Sequence, residues 1–166
     1  TPPIESRSYL ELTMQALRLF GVNVSWINER TIFIPGGSSY SPRELDVEGD
    51  YSNAAFFEAF NYLGGNVEIK GLDENSLQGD KAYIKYFQLL DRGCASIHLG
   101  DCPDLAPILF AFAVAKNGGI FNGTYRLALK ESDRSASMAE ELSKFGASVK
   151  VENNSVIIYP KNFHAP

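Results

Sequence analysis

Side chains of both charges meet in the segment LALKESDRSASMAEEL, where Lys130, Glu131, Asp133 and Arg134 lie close together ahead of a helical pattern. Ser132 or Asp133 can cap that helix, and Glu131 can pair with Arg134 one turn later. Lys130 and Arg134 lie four positions apart, so they can present two cations on one side of a helix N-terminus, where anions bind. The segment is therefore either a solvated helix start, which is the more common case for a short motif, or part of a site for an anionic substrate.

A second candidate is Asp104 in CPDLAP, just ahead of an apolar helical segment. An aspartate there can cap the helix or act as a general base, and it can do both at once. Asp50 in VEGDYSNAA and Asp80 in SLQGD also stand at predicted helix starts, and we interpret both as caps. Ser6 and Tyr9 come just before or within the first predicted helix, where their hydroxyls can bind phosphate or serve as caps.

Composition narrows the possible functions. The chain has 166 residues, 45% of them hydrophobic and 21% charged, which is typical of a globular domain with a sizeable core. Its net charge of −5 provides no broad basic face for nucleic acid. Its two cysteines, Cys94 and Cys102, form no metal-ligand motif, and no apolar run reaches the length of a membrane span. We expect reduced cysteines, a cytoplasmic protein, and no membrane or nucleic-acid partner.

The segments LRLFGVNVSW, LLDRGCASIHL and LSKFGASVKV share one pattern, in which a helix ends at a glycine and an alternating strand follows. The glycines are Gly21, Gly93 and Gly146, and we expect each to adopt the left-handed conformation that often ends a helix. VSWINERTIFIP and VKVENNSVIIYP then both predict a strand, a polar turn and a second strand. The sequence therefore contains an internal repeat.

The repeating unit is predicted to be βαβαββ, which makes the fold class α/β (α+β). A half unit covers about residues 5–35, and full units cover about 44–100 and 97–160. In the first full unit, strands are predicted on both sides of the helix AAFFEAFNYL, in LDVEG and NVEIK. The first helices of the two full units, AAFFEAFNYL and LAPILFAFAVA, are apolar nearly all round, which predicts buried helices with sheets outside.

Five motifs in register resemble the enolpyruvylshikimate-phosphate (EPSP) synthase family: SRSYLELTMQALRLFGV, VEGDYSNAAFF, NSLQGD, PDLAPILFAFAVAKNG and LALKESDRSASMAEELSKFGASV. The resemblance extends over essentially the whole chain and implies domains built from repeated βαβαββ units. It also implies transfer of the enolpyruvyl group of phosphoenolpyruvate to the 5-hydroxyl of shikimate 3-phosphate, with release of phosphate. This is a step of aromatic amino acid biosynthesis that uses no metal or organic cofactor.

The resemblance also implies roles for individual residues. Asp104 matches the base that takes the proton of the 5-hydroxyl, and Lys130 matches the cation that contacts this hydroxyl. Glu131 matches the acid that exchanges a proton with the phosphoenolpyruvate methylene, and Arg134 matches a contact to the phosphoenolpyruvate anion. Ser6 and Tyr9 match the family's shikimate 3-phosphate contacts, and Arg126 matches a further substrate-contact position.

Several family elements have no counterpart in this chain: the Lys-Ser, Arg and Ser-Ser-Gln elements upstream, and the His-Arg motif and a late Lys downstream. The chain is therefore expected to be a fragment of the C-terminal domain whose partner is the absent N-terminal domain, and to have no turnover alone. Two alternatives stay open. One is the sister enolpyruvyl transferase that acts on UDP-N-acetylglucosamine, and the other is a non-catalytic binding module of the same fold.

Overall fold

The structure is a computed structural model that describes residues 4–161. Eleven helices and strands follow one another in these residues, joined in three places by short 3-10 turns. In chain order they are α1 (Arg7–Leu19), β1 (Ser25–Asn28), β2 (Thr31–Phe33), α2 (Tyr51–Tyr62), α3 (Tyr83–Arg92), β3 (Ala95–His98), α4 (Ala106–Ala115), β4 (Gly119–Asn122), α5 (Arg134–Lys144), β5 (Ser148–Val151) and β6 (Ser155–Tyr159). The chain is thus of mixed α/β class, as the sequence predicts.

Strands β3 to β6 form one sheet in the order β3-β4-β6-β5. β3 and β4 are parallel, whereas β6 is antiparallel to both β4 and β5. Ile97 of β3 lies opposite Phe121 of β4, which lies opposite Val156 of β6, and all three side chains are buried. This stripe faces the helices, while alternate residues face solvent, so residues 95–159 trace a complete βαβαββ path with the sheet on the outside.

Helix α4 lies at the centre of the fold, where it contacts α2, α3, α5, β4 and β6. A helix with neighbours on every side needs apolar residues on every side, and six of its ten residues are buried. The ring centroids of Phe112 and Phe87 lie 4.5 Å apart, and those of Phe110 and Phe121 lie 4.9 Å apart. The predicted burial of LAPILFAFAVA is confirmed.

Helix α2 is less buried than its sequence predicts. Its alanine face packs against α3 and α4, with Ala55 fully buried. The opposite face exposes Phe56, Phe57 and Phe60, each with about half of its surface accessible (48%, 53% and 57%). An apolar composition shows only that a helix avoids water, and the described residues supply a neighbour for one face of α2.

Within residues 4–161, the two strands predicted on either side of α2 do not form. Neither LDVEG (45–49) nor NVEIK (66–70) belongs to a sheet. The chain nevertheless comes together at the ends of the two segments, because the amide of Gly49 donates to the carbonyl of Gly71, the residue after the second segment, at 2.7 Å. A strand pairs with its neighbour through a series of backbone hydrogen bonds, and this single hydrogen bond does not form such a series. The division of the chain into units therefore stays a prediction.

The predicted glycine pattern holds at two of its three positions. Gly21 has a φ of 90° and Gly146 a φ of 82°, both in the left-handed region. Gly93, which follows α3, has a φ of 168° and is extended, so its backbone conformation does not require glycine. Both predicted hairpins form, β1 with β2 and β5 with β6.

Candidate active site

Several of the residues singled out in the sequence follow the parallel strands β3 and β4. Asp104 sits in the 3-10 turn Pro103–Leu105 between β3 and α4, and Arg126 sits in the 3-10 turn Tyr125–Leu129 after β4. Lys130 follows that turn, and Arg134 is the first residue of α5. The carboxyl ends of neighbouring parallel strands meet at one edge of a sheet, which is where α/β proteins bind ligands.

Asp104 is the centre of a charged cluster. Its Oδ1 accepts from Arg134 Nη1 at 2.6 Å and lies 3.5 Å from Lys130 Nζ, while its Oδ2 accepts from the Tyr9 hydroxyl at 2.8 Å. The carboxylate makes no cap bond to α4, so the N-cap interpretation of Asp104 is wrong. Its oxygens are already directed toward these three side chains.

The electrostatics of the cluster keep Asp104 ionised. Burial alone would raise the pKa of Asp104, but the hydrogen bonds from Tyr9 and Arg134 and the charge of Lys130 outweigh burial and lower this pKa. The pKa of Arg134 is raised: burial opposes this, and the bond to Asp104 outweighs burial. At neutral pH the cluster therefore consists of a carboxylate, two cations and a neutral phenol.

Glu131 is linked to the cluster through Arg134, whose Nη2 lies 3.3 Å from Glu131 Oε2. The Glu131 side chain is 85% exposed, so this ion pair is screened by water. A hydrogen bond from its own backbone and the nearby guanidinium lower the pKa of Glu131. The cap of α5 is Asp133, whose carboxylate accepts from the Ala136 amide at 3.1 Å.

Ser6 and Arg126 form a second cluster at the start of α1. The Arg126 guanidinium donates from Nη1 to Ser6 Oγ at 2.7 Å, and its Nε lies 3.7 Å from Glu5 Oε2. Ser6 has a φ of 55°, an uncommon left-handed conformation for a residue other than glycine, and its amide donates to the Gly100 carbonyl. Ser6 and Tyr9 both belong to the start of α1, so the start of this helix contributes a residue to the Asp104 cluster and to the Arg126 cluster.

Asp80 is a site residue that sequence reasoning missed. The sequence predicts a helix cap at this position, but among the described residues the Asp80 carboxylate makes no cap hydrogen bond. The residue is 5% exposed, and its Oδ2 lies 3.3 Å from the Tyr9 hydroxyl. Among residues 4–161 its Oδ1 has no hydrogen-bond partner. The sequence offered one signal, the glycine of Gln-Gly-Asp, because a glycine permits two chain segments to come close together. The structure shows such a contact: a Cβ at Gly79 would lie 2.6 Å from the Asp101 carbonyl oxygen.

Tyr9 thus bridges two carboxylates. Burial, and next the charge of Asp104, raise the pKa of Asp80 to about 6. Burial and the hydrogen bond to Asp104 raise the pKa of the Tyr9 hydroxyl well above its ordinary value, so the phenol keeps its proton. A cleft of about 350 Å³ opens beside this bridge and is lined by Tyr9, Asp80 and Asp104 together with α2 start residues such as Asp50.

Together the fold and the site define a class: an α/β protein in which clustered cations surround a carboxylate, an arrangement that suits an anionic molecule. Comparison with known proteins gives the particular family. The sequence model described as EPSP synthase (3-phosphoshikimate 1-carboxyvinyltransferase) matches residues 4–165, and the chain belongs to this family.

Its relatives include the 3-phosphoshikimate 1-carboxyvinyltransferase of Clostridium novyi (strain NT), which is 36% identical in an alignment of 179 positions that covers 97% of this chain. The protein of the same name from Clostridioides difficile (strain 630) is 33% identical over 95% of the chain. Among solved structures, an EPSP synthase from Acinetobacter baumannii matches 98% of the chain with a TM-score of 0.71 and 22% identity, which supports the fold.

The chain spans about two fifths of the length of the relatives it matches: 41% of the Clostridium novyi protein and 42% of the Acinetobacter baumannii structure. The described part of the chain contains no helix that is both long and apolar enough to cross a membrane.

Proposed function

We propose that this chain is part of an enzyme that transfers the enolpyruvyl group of phosphoenolpyruvate to the 5-hydroxyl of shikimate 3-phosphate and releases phosphate. The observation that carries the proposal is the Asp104 cluster, in which Tyr9, Lys130 and Arg134 all contact one carboxylate. The reaction needs a base for the hydroxyl, an acid for the methylene carbon, and fixed cations around two phosphates and a carboxylate.

In this proposal Asp104 is the base and Lys130 contacts the same hydroxyl. A carboxylate held by two cations and a phenol is a weak base, because every partner stabilises its ionised form. Phosphoenolpyruvate carries anionic groups that compete with Asp104 for Arg134. Binding of phosphoenolpyruvate at Arg134 would remove the 2.6 Å contact and raise the proton affinity of Asp104 as the complex forms.

Glu131 is proposed to exchange the proton with the methylene group. Its exposed carboxylate is ionised in the free chain, so it starts as a proton acceptor and has to gain a proton before it can donate one. Ser6, Tyr9 and Arg126 are proposed to hold shikimate 3-phosphate. Arg126 already fixes the Ser6 hydroxyl at 2.7 Å, which preorganises a cation and a hydroxyl for a phosphate.

We infer that the remaining segments of the protein complete this site, because the chain accounts for 41% of the length of its Clostridium novyi relative. On this view the 166-residue chain by itself does not turn over. We also infer a reducing cytoplasmic environment, which is consistent with Cys94 and Cys102 both being free thiols.

The test is phosphate release by the polypeptide expressed from the complete reading frame, with phosphoenolpyruvate and either shikimate 3-phosphate or UDP-N-acetylglucosamine. We expect release with shikimate 3-phosphate only, and loss of most of that activity in Asp104→Ala. The matched control is Asp46→Ala, which removes an exposed carboxylate and should retain activity. Release with the sugar nucleotide would assign the chain to the sister reaction, and release with neither would leave a binding module.

A further inference from the structure

The Tyr9 hydroxyl lies within hydrogen-bonding distance of two carboxylates, Asp104 Oδ2 at 2.8 Å and Asp80 Oδ2 at 3.3 Å. A phenol has one proton and can donate it to only one of them. If both carboxylates are ionised, one faces a phenol oxygen that offers it no proton. If Asp80 carries a proton, Asp80 donates to Tyr9 and Tyr9 donates to Asp104, and all three groups are satisfied.

The surroundings of Asp80 favour the second arrangement. The side chain is 95% buried, since its exposed fraction is 5%, and its Oδ1 has no hydrogen-bond partner among residues 4–161. An ionised carboxylate with an unsatisfied buried oxygen is costly, whereas a neutral acid is much less so. Asp104 differs, because Lys130 and Arg134 stabilise its charge.

The charged groups that surround Asp80 favour the same distribution. Asp104, ahead of α4, and Asp50, ahead of α2, disfavour a further negative charge there. The hydrogen bond with Tyr9 and, more weakly, the charge of Lys130 act in the opposite direction, and burial together with the two carboxylates outweighs them. Burial, and next the charge of Asp80, raise the pKa of the Cys102 thiol to about 12, so this thiol stays neutral. When the pair of carboxylates holds one proton, that proton therefore resides on Asp80 rather than on Asp104.

We propose that Asp80 is a positioning residue that, in its protonated form, donates to the Tyr9 oxygen and thereby directs the Tyr9 proton to Asp104. The consequence for catalysis rests on the function proposed above. Ionisation of Asp80 frees the Tyr9 proton to turn away from Asp104 and adds a negative charge beside the binding site of anionic substrates. Both effects weaken the arrangement in which Asp104 acts.

The first arm of the test needs no activity. In the 166-residue chain with carbonyl-labelled aspartate, the carboxyl carbon of Asp80 is followed by NMR as pH is varied. We expect its midpoint near pH 6. In the wild type we also expect the Asp104 signal to shift as Asp80 titrates. In Tyr9→Phe, which removes the bridging hydroxyl, this shift of the Asp104 signal should be lost. A midpoint below about 4.5, in the ordinary carboxyl range, would overturn the proposal.

The second arm measures kcat/KM of the complete polypeptide against pH for the wild type and Asp80→Asn. The amide is neutral at every pH and can still donate to Tyr9, so the variant lacks the ionisation while keeping the shape. Substrate phosphates also titrate near pH ~6, but this contribution cancels in the ratio of wild type to variant. We expect the ratio to fall by up to about tenfold as pH rises through the Asp80 midpoint.

The control for this arm is Asp46→Asn, the same chemical change at an exposed position, for which the ratio to wild type should stay constant with pH. A constant ratio for Asp80→Asn as well would assign Asp80 a merely structural role and overturn the proposal. If the complete polypeptide releases no phosphate, the proposed function fails, and the NMR titration still decides where the proton resides.

Discussion

Replacing Asp80 with asparagine should stabilise the chain, and the gain should depend on pH. Burial, followed by the charge of Asp104, raises the pKa of Asp80 from 3.8 to about 6, so the folded chain holds this proton more tightly than the unfolded chain does. A carboxyl with a raised pKa has its full stabilising contribution below its unfolded pKa. This contribution is lost as pH rises through the folded pKa.

The magnitude follows from the same values. A rise in pKa from 3.8 to about 6 corresponds to about 3 kcal/mol of unfolding free energy lost between acidic and neutral pH. Asp80 is 5% exposed, so solvent screening removes little of this amount. Asparagine avoids the loss because it has no charge to bury, although its amide adds a donor that must find an acceptor.

The assay is urea unfolding of the 166-residue chain, followed by circular dichroism at several pH values. The difference in unfolding free energy between Asp80→Asn and wild type should grow from under ~1 kcal/mol near pH 4 to about 3 kcal/mol near pH 7. Comparing the two proteins at each pH removes the contributions of the other carboxylates.

Asp46→Asn is the control, since its carboxylate is exposed and its difference from wild type should stay small at every pH. A difference for Asp80→Asn that is flat with pH would mean that the buried carboxylate pays no cost on ionisation. A difference that shrinks as pH rises would mean that unseen partners stabilise the charge. Either result would refute the reasoning from burial.

Three further substitutions test the packing and local structure by the same unfolding assay. Phe87→Ala removes a fully buried ring that stacks 4.5 Å from Phe112, and it should cost about 3–5 kcal/mol. Gly118→Ala should destabilise by more than ~1 kcal/mol, because Gly118 has a φ of 74° and a Cβ there would lie 2.6 Å from the Ile158 carbonyl oxygen. Asp50→Ala removes the carboxylate that accepts from the Ser52 amide at 2.7 Å at the start of α2, and it should cost about 1 kcal/mol. An effect below ~0.5 kcal/mol at Phe87 would contradict the assigned core, and unchanged stability at Gly118 or Asp50 would contradict the backbone contact or the cap.

The sequence predicts those features that depend on neighbours along the chain. Both hairpins, the cap at Asp50 and the burial of α4 follow from residue types and spacing within a single segment. The choice between Ser132 and Asp133 as the cap of α5 stays open in the sequence, because both residues suit the role, and the backbone geometry selects Asp133. The motifs also indicate the family, which the match over residues 4–165 confirms.

The pattern of apolar residues along a segment does not show which helices or strands will pack against it. Helix α2 has an apolar sequence like that of α4, yet Phe57 is 53% exposed because the described residues cover only one face of α2. The segment NVEIK has the composition of a strand, but among the described residues it belongs to no sheet. Burial and pairing are properties of two surfaces, and a local sequence describes only one of them.

Tertiary structure alone determines the partners of the candidate site. Asp80 and Asp104 both precede helices and look alike as caps, but neither caps a helix. Tyr9 reaches them across 71 and 95 positions of the chain. The same carboxyl group is ionised beside two cations at Asp104, and it keeps its proton to a higher pH at Asp80, which is buried near the charge of Asp104. The proton affinity of each carboxylate depends on distances to residues far apart in sequence. It can therefore be inferred from the folded structure and not from the sequence alone.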